Sequence, residues 1–322
     1  MGAPVGVGIV GVGRMGSTHA RIIARLVPEA RVVALADVDT AATRRLAEEL
    51  GVRASYASAA ELAADPAVQG VFIAVSSSRH LEVVRQVAAA GRDMLCEKPL
   101  ALTMADTDDA IAAAAAAGVR LQVGLMRRWD PGYRRAQEKL RSGRCGSPVL
   151  FRSVQVDAEA PPPAYADPAV SGGIMVDMGI HDFDLARWLM ADEVIEVHAY
   201  GSSAAHPALA AVGDVDSAVI ALRFADGGTG AVQLARSGVE RDDVRTEVVG
   251  TVASVHIDGL PEGAAGPPIF ETAYAEQARG FARAIASDSP VEVGSSEARA
   301  ALAIALAADR SRREGRPVAV DS

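Results

Sequence analysis

In the first part of the chain, short unbroken apolar runs alternate with longer stretches whose apolar residues return every three to four positions. Val5–Val10, Arg31–Ala36, Val71–Val75, Met94–Glu97 and Val119–Gly124 read as buried strands. Between them, Ser17–Leu26, Thr40–Leu50, His80–Ala90 and Thr103–Ala117 read as helices, with Gly51 and Gly91 placed as helix stops. This alternation predicts a doubly wound parallel sheet. Beyond residue 124 the rhythm changes. Pro148–Val156, Val194–Tyr200, Ser217–Phe224, Thr229–Ala235, Asp243–Val249 and Ala253–Ile257 are β-rich, and Asp226-Gly227-Gly228 has the composition of a hairpin turn. Helices are expected at Glu271–Ala286 and Ser296–Arg310, and a loop at Gly259–Pro268. The chain thus divides into two domains, residues 1–124 and 125–322.

Composition narrows the function more than the fold. A net charge of −9 argues against nucleic acid as a partner, because phosphate binding needs clustered Lys and Arg. The longest bland run, Ala112–Ala117, is far too short to cross a membrane. The N-terminus enters a strand without a basic leader, and Cys96 and Cys145 stand alone without metal-ligand spacing. The expectation is a cytoplasmic protein with reduced thiols and no metal.

The first strand ends in Gly11-Val12-Gly13-Arg14-Met15-Gly16, a G-x-G-x-x-G that opens a helix. Its glycines let the backbone turn and approach a pyrophosphate at the positive helix end, as in a Rossmann domain. Asp37 closes the second strand, where a carboxylate grips a ribose 2′-hydroxyl and repels a 2′-phosphate, so NAD is expected over NADP. Ligands bind at the carboxyl ends of such strands. That rule lines Gly11–Gly16, Asp37, Val75, Ser76–His80 and Glu97-Lys98-Pro99 along one crevice. Lys98, held out of helix by Pro99, is suited to a substrate hydroxyl or a developing oxyanion.

A second candidate centre lies in Gly172–Trp188. Asp177 and His181 are four apart, which on a continuous helix places both on one face. Two readings stand at this point: a carboxylate orienting an imidazole base, or a helix cap with a packed histidine beside it.

Gly11–Gly16 with Asp37, then Cys96-Glu97-Lys98-Pro99-Leu100, then Asp177 with His181 resemble the Gfo/Idh/MocA oxidoreductases, with inositol 2-dehydrogenases the most similar subgroup. Met126–Tyr133, Ser171–Asp184 and Asp216–Phe224 carry the likeness through the second half. The resemblance implies a C-terminal domain built on an open, mainly antiparallel sheet with a face that often joins subunits, hence a homo-oligomer, dimer or tetramer. It implies Lys98, Asp177 and His181 as the catalytic set, and NAD-dependent oxidation of a cyclic polyol or sugar. His181 would take the hydroxyl proton, Asp177 would orient it, and Lys98 would bind the oxygen. Arg127 is a candidate for substrate hydroxyls, alongside a plain salt-bridge reading. The other activities open to such a chain are NAD-dependent glycoside cleavage and non-enzymatic NAD-binding regulation.

The likeness breaks in two places expected near the substrate. Val156-Asp157-Ala158 stands where the subgroup tends to carry Ser-Arg-Asp. Glu240-Arg241-Asp242-Asp243-Val244-Arg245 stands where it commonly has Tyr-Gly-Tyr-Asp-Gln-Arg. Asp157, Glu240, Asp242 and Asp243 together suggest a ring bearing a cationic substituent, unless Arg241 and Arg245 neutralise them. Pro161–Pro168 reads as a surface connection, with a lid or subunit arm as the alternative.

Overall fold

The structure, a computed structural model of the chain, describes residues 3–236, 242–258 and 270–321. The expected loop Gly259–Pro268 and the residues Glu240 and Arg241 lie outside these described residues. One compact unit runs to Trp129 and takes back Glu271–Arg299; the other holds Asp130–Phe270 and the chain from Ala300. A single cut after residue 124 misses that return. Its cause is the apolar face of helix Glu271–Ala286, where Ala275, Ala278, Phe281 and Ala282 join a core with Val5, Ile9, Phe72 and Leu95.

In the first unit the order is β1 (Val5–Val10), α1 (Arg14–Leu26), β2 (Ala30–Ala36), α2 (Thr40–Leu50), β3 (Ala54–Tyr56) and α3 (Ala59–Ala64). It continues with β4 (Gly70–Ile73), α4 (His80–Ala89), β5 (Asp93–Cys96), α5 (Met104–Ala117) and β6 (Leu121–Val123). The six strands are parallel in the order β3-β2-β1-β4-β5-β6. The chain starts at β1, runs outward through β3 and returns to β4 on the other side. The switch point between β1 and β4 opens a crevice at their carboxyl ends. The sequence pattern misses β3 and α3 because three strand and six helix residues are too short to show a period. It also starts α1 too late: the helix begins at Arg14, inside the glycine motif, with Gly13 as its cap. The β4 run expected to Val75 stops at Ile73.

The second unit contains α6 (Pro131–Arg141), β7 (Pro148–Val156), α7 (Pro163–Ala166), α8 (Pro168–Ser171), α9 (Gly173–Asp177), α10 (Ile180–Met190) and β8 (Val194–Ser202). Then come α11 (Pro207–Ala210), β9 (Ser217–Phe224), β10 (Thr229–Ala235), β11 (Asp243–Gly250) and β12 (Ser254–Asp258). The returning helix of the first unit is α12 (Glu271–Ala286), followed by α13 (Ser295–Glu314) and β13 (Val318–Ala319). Seven strands lie in the order β12-β11-β7-β10-β9-β8-β13, antiparallel except for the parallel pair β7–β10. Alternation sets the two faces. Ala218, Ile220, Leu222 and Phe224 of β9 point into the core, whereas Val219 and its register neighbour Tyr200 on β8 are exposed.

Candidate active site

The carboxyl end of β1 builds a dinucleotide cradle. Gly11 has φ +86°, and a Cβ on Gly16 would sit 1.7 Å from the Gly11 carbonyl oxygen, so loop and helix close together only without side chains. Gly13 caps α1 with no side-chain hydrogen bond and meets nothing where its Cβ would be. The first N–H groups of α1 therefore lie uncovered by a capping side chain, which suits a pyrophosphate. Arg14 is exposed and Met15 half-buried at this opening. Asp37 is held in place by the loop it serves: its Oδ2 accepts from Val12 N–H at 2.7 Å and its Oδ1 from Asp39 N–H at 2.9 Å. A cavity beside it is lined by Gly11, Ala36, Asp37, Val38, Ser58 and Val75. The residues present thus fit NAD.

Ser76, exposed, precedes a 3-10 turn at Ser77–Arg79. His80 is buried, with Nδ1 2.7 Å from the Pro99 carbonyl and Nε2 3.2 Å from that of Val75. Burial pushes its pKa down, and a neutral ring has one N–H, which the shorter distance assigns to Nδ1. His80 thereby ties the start of α4 to the Lys98-Pro99 turn. Lys98 itself is half-buried just past β5. The preceding Glu97 is buried, and its Oε1 lies 2.6 Å from His19 Nε2 while its Oε2 accepts from Lys98 N–H at 3.2 Å. Burial, the largest influence, raises the Glu97 pKa. The His19 hydrogen bond and the His19 and Lys98 charges outweigh it and hold the carboxyl below its ordinary range. Tyr274 stacks edge-on against His19 at 5.3 Å. Its phenol pKa is pushed up by burial and by Glu97, with Arg14 and Arg127 opposing. Arg127, only 2% exposed, lies in a 3-10 turn at Met126–Trp129 and is no solvated surface charge.

In the second unit the expected continuous helix through Asp177 and His181 is broken. Asp177 ends α9, Met178 and Gly179 form a turn, and His181 is the second residue of α10. The break follows from the bonding: Met178 N–H and Gly179 N–H both return to the Ile174 carbonyl, and Phe183 N–H restarts the ladder from Gly179. Gly172 and Gly173, at φ +83° and +70°, turn the chain tightly into α9. Asp177 therefore does not cap a helix N-terminus. Its Oδ2 accepts from Arg236 Nη2 at 2.8 Å and its Oδ1 from the Tyr165 hydroxyl at 3.1 Å. His181 is buried beside it in sequence.

Around this carboxylate the structure gathers Asp157 and Asp242. Asp157 follows β7, and the neighbouring Ala158 N–H donates to Asp242 Oδ1 at 2.7 Å. Burial raises the Asp157 pKa; Gln155 opposes it, the charges of Asp242 and Asp177 add to it, and Arg236 opposes. Asp243 does not join them as a bare charge, because Arg245 pairs with it at 2.8 Å on the surface. Among the described residues, no group of three or more His, Cys, Asp and Glu is arranged to hold a metal ion. No described helix is long and apolar enough to cross a membrane.

Three buried polar residues of these sites escaped sequence reasoning, and each carried a signal. His19 sits on the inward stripe of α1 with Ala20, Ile22 and Ile23. Arg236 extends the inward row Val232, Leu234 of β10, and Asp214 is likewise buried. A charge at a core position of a regular pattern demands a partner.

Uncapped α1, Asp37 and the β1–β4 crevice define a dinucleotide-binding domain, followed in the chain by a second, mainly antiparallel unit. The chain belongs to the Gfo/Idh/MocA family: residues 5–125 match the oxidoreductase family, NAD-binding Rossmann fold, and residues 133–256 match the GFO/IDH/MocA C-terminal domain. It is 34% identical to the myo-inositol 2-dehydrogenase of Thermotoga maritima, over 98% of each chain. It is 32% identical to the scyllo-inositol 2-dehydrogenase (NAD(+)) of Bacillus subtilis, over 97% of this chain and 95% of that one. Among solved structures, scyllo-inositol dehydrogenase from Lactobacillus casei with bound NAD(H) and scyllo-inositol superposes with a TM-score of 0.90. That pair is 27% identical, with 99% of this chain and 100% of that one covered.

Proposed function

We propose that this chain oxidises a secondary hydroxyl of a cyclic polyol of the inositol class to a ketone. NAD supplies the chemistry of hydride acceptance. His181 takes the hydroxyl proton, Asp177 orients the imidazole and supports its charge, and Lys98 hydrogen-bonds the reacting oxygen. Arg127, Asp157 and Asp242 contribute to substrate recognition. The observation that carries this reading is the state of Asp177, a half-buried carboxylate gripped by a buried arginine on one oxygen and accepting a hydroxyl on the other. A carboxylate so placed is shaped to take polyol hydroxyls. The named substrates of the relatives support the same class.

The test is NADH formation with myo-inositol, scyllo-inositol, simple aldoses and an amino-inositol in one assay. Net NADH from an inositol supports the reading. Sugar release from a glycoside without net NADH would overturn it in favour of glycoside cleavage, and no turnover would favour a regulatory role. The reading includes a homo-oligomer joined through the open face of the second sheet, where Tyr200 and Val219 are exposed. It also includes a cytoplasmic location, in keeping with the free thiols of Cys96 and Cys145.

A further inference from the structure

We infer that Arg236 is a positioning residue for the reaction, anchoring one oxygen of Asp177 to the protein interior so that the carboxylate keeps a single orientation. This rests on the reading of Asp177 as part of the proton-transfer set. Arg236 follows β10 on its inward row and is 1% exposed. Its Nη1 donates to Asp214 Oδ2 at 2.7 Å, its Nη2 to Asp177 Oδ2 at 2.8 Å, and its Nε lies 3.3 Å from Met178 Sδ. The far end of this clamp is itself fixed. Asp214 Oδ1 accepts from Ile174 N–H at 3.0 Å, and Arg236 N–H donates to the Asp216 carbonyl at 2.7 Å. Asp216 in turn accepts from the N–H groups of Ala205 and His206, each at 2.7 Å.

The network runs from dry to wet. The Asp214 side chain is 3% exposed and that of Asp177 16%. Tyr165, 43% exposed, donates its hydroxyl to Asp177 Oδ1. Oδ2 is therefore the oxygen held by the buried clamp, and Oδ1 is the one that meets the exposed Tyr165 hydroxyl. Two carboxylates on separate segments require a planar fork with two donors; an ammonium is a single point and cannot reproduce it. An ion pair kept only for stability would not need its second carboxylate at the wet end of the network. The charged and titratable groups seen to face this centre among the described residues include Asp157 after β7, Asp214 before β9, Asp242 before β11, and Tyr165 from the helical segment.

The experiment compares Arg236→Lys, Asp214→Asn, Arg236→Lys/Asp214→Asn and Asp177→Asn with the wild type. It uses NAD and whichever inositol of the panel turns over fastest. For Arg236→Lys we expect kcat to fall tenfold or more while the NADH dissociation constant stays within about twofold. The acid limb of kcat/KM should move to higher pH, because a shared ammonium stabilises the charged carboxylate less well. In the double variant the ammonium serves Asp177 alone, so the limb should move back toward its original position. Should Arg236→Lys not fold, Asp214→Asn carries the test. Arg236 is then devoted to Asp177, and the acid limb should move to lower pH whatever the level of kcat. Wild-type kcat and pH profile in Arg236→Lys, or an unmoved limb in Asp214→Asn, overturns the inference. Asp177→Asn separates the two failures: full turnover there overturns the reading of Asp177 itself and the inference with it. A slow Asp177→Asn beside a fast Arg236→Lys overturns the inference alone.

Discussion

Replacing His19 by phenylalanine tests whether the buried pair behind Lys98 works as the structure implies. The substitution keeps a flat ring between Phe72 and Tyr274, which His19 meets at 5.5 and 5.3 Å. It removes the 2.6 Å contact to Glu97. A hydrogen bond to a charged group contributes about 1.5–3 kcal/mol. The remainder comes from titration. In the wild type the folded Glu97 pKa lies below its ordinary value. The stabilisation is complete above the ordinary carboxyl pKa and fades as pH falls through the folded one. Without His19, burial prevails over what Lys98 still supplies, and the folded pKa rises above the ordinary value. Stability is then retained at low pH and lost as pH rises through that raised pKa, by about 1.4 kcal/mol for each unit of elevation. The gap between the two proteins should be about 1.5–3 kcal/mol at pH 5 and larger at pH 8. At roughly 2–4 °C per kcal/mol, the difference in Tm at pH 8 is on the order of 10 °C. Thermal unfolding from pH 5 to pH 8 reads it directly. A gap that stays constant across that range would refute the argument, because it would mean that His19 contributes packing alone.

Four further outcomes follow from the same geometry. Asp37→Asn should narrow the NAD-over-NADP ratio in kcat/KM from about a hundredfold to below about tenfold, since the repelling charge is gone; paired kinetics with both cofactors measures it. Lys98→Ala and His181→Ala should each cost about a hundred- to ten-thousandfold in kcat with NADH binding kept, as read by fluorescence titration beside steady-state rates. Asp157 and Asp242 beside Asp177 should make an amino-inositol a better substrate than myo-inositol, and the Asp157→Asn variant should lose that preference in the same panel. Val219→Glu, on the exposed sheet face, should shift a wild-type oligomer toward monomer in sedimentation while leaving the fold intact.

The regular layer of this fold was legible because its period is simple. Thr229–Ala235 and Ser217–Phe224 emerge with the boundaries their alternation predicts, and the uniformly apolar β1 does too. What stayed hidden was short or set by tertiary contact. The three residues of β3 show no period, and α12 reads as an ordinary amphipathic helix whose partner core lies far back in sequence. The Gly179 turn illustrates the limit most directly. Spacing alone put Asp177 and His181 on one helix face, and only the return of two N–H groups to the Ile174 carbonyl separates α9 from α10.

That break also explains why Asp177 carries so many partners. At the end of a short helix a carboxylate has no helix-terminal N–H groups to cap, and its charge faces the negative end of the helix dipole. Left alone it would be poorly placed. The sequence compensates from a distant strand: β10 carries its inward row one residue beyond Leu234, and Arg236 arrives beneath Asp177 already anchored on Asp214. The same device recurs in the first unit, where Glu97 directly follows the buried strand β5 and His19 reaches it from the inward face of α1. In both units an acidic residue next to a proposed proton-transfer group is held by a buried basic side chain that continues a hydrophobic pattern. A charge on an inward row is thus the sequence mark of the residue that holds the site, and an acid at an element's end is the mark of the residue being held.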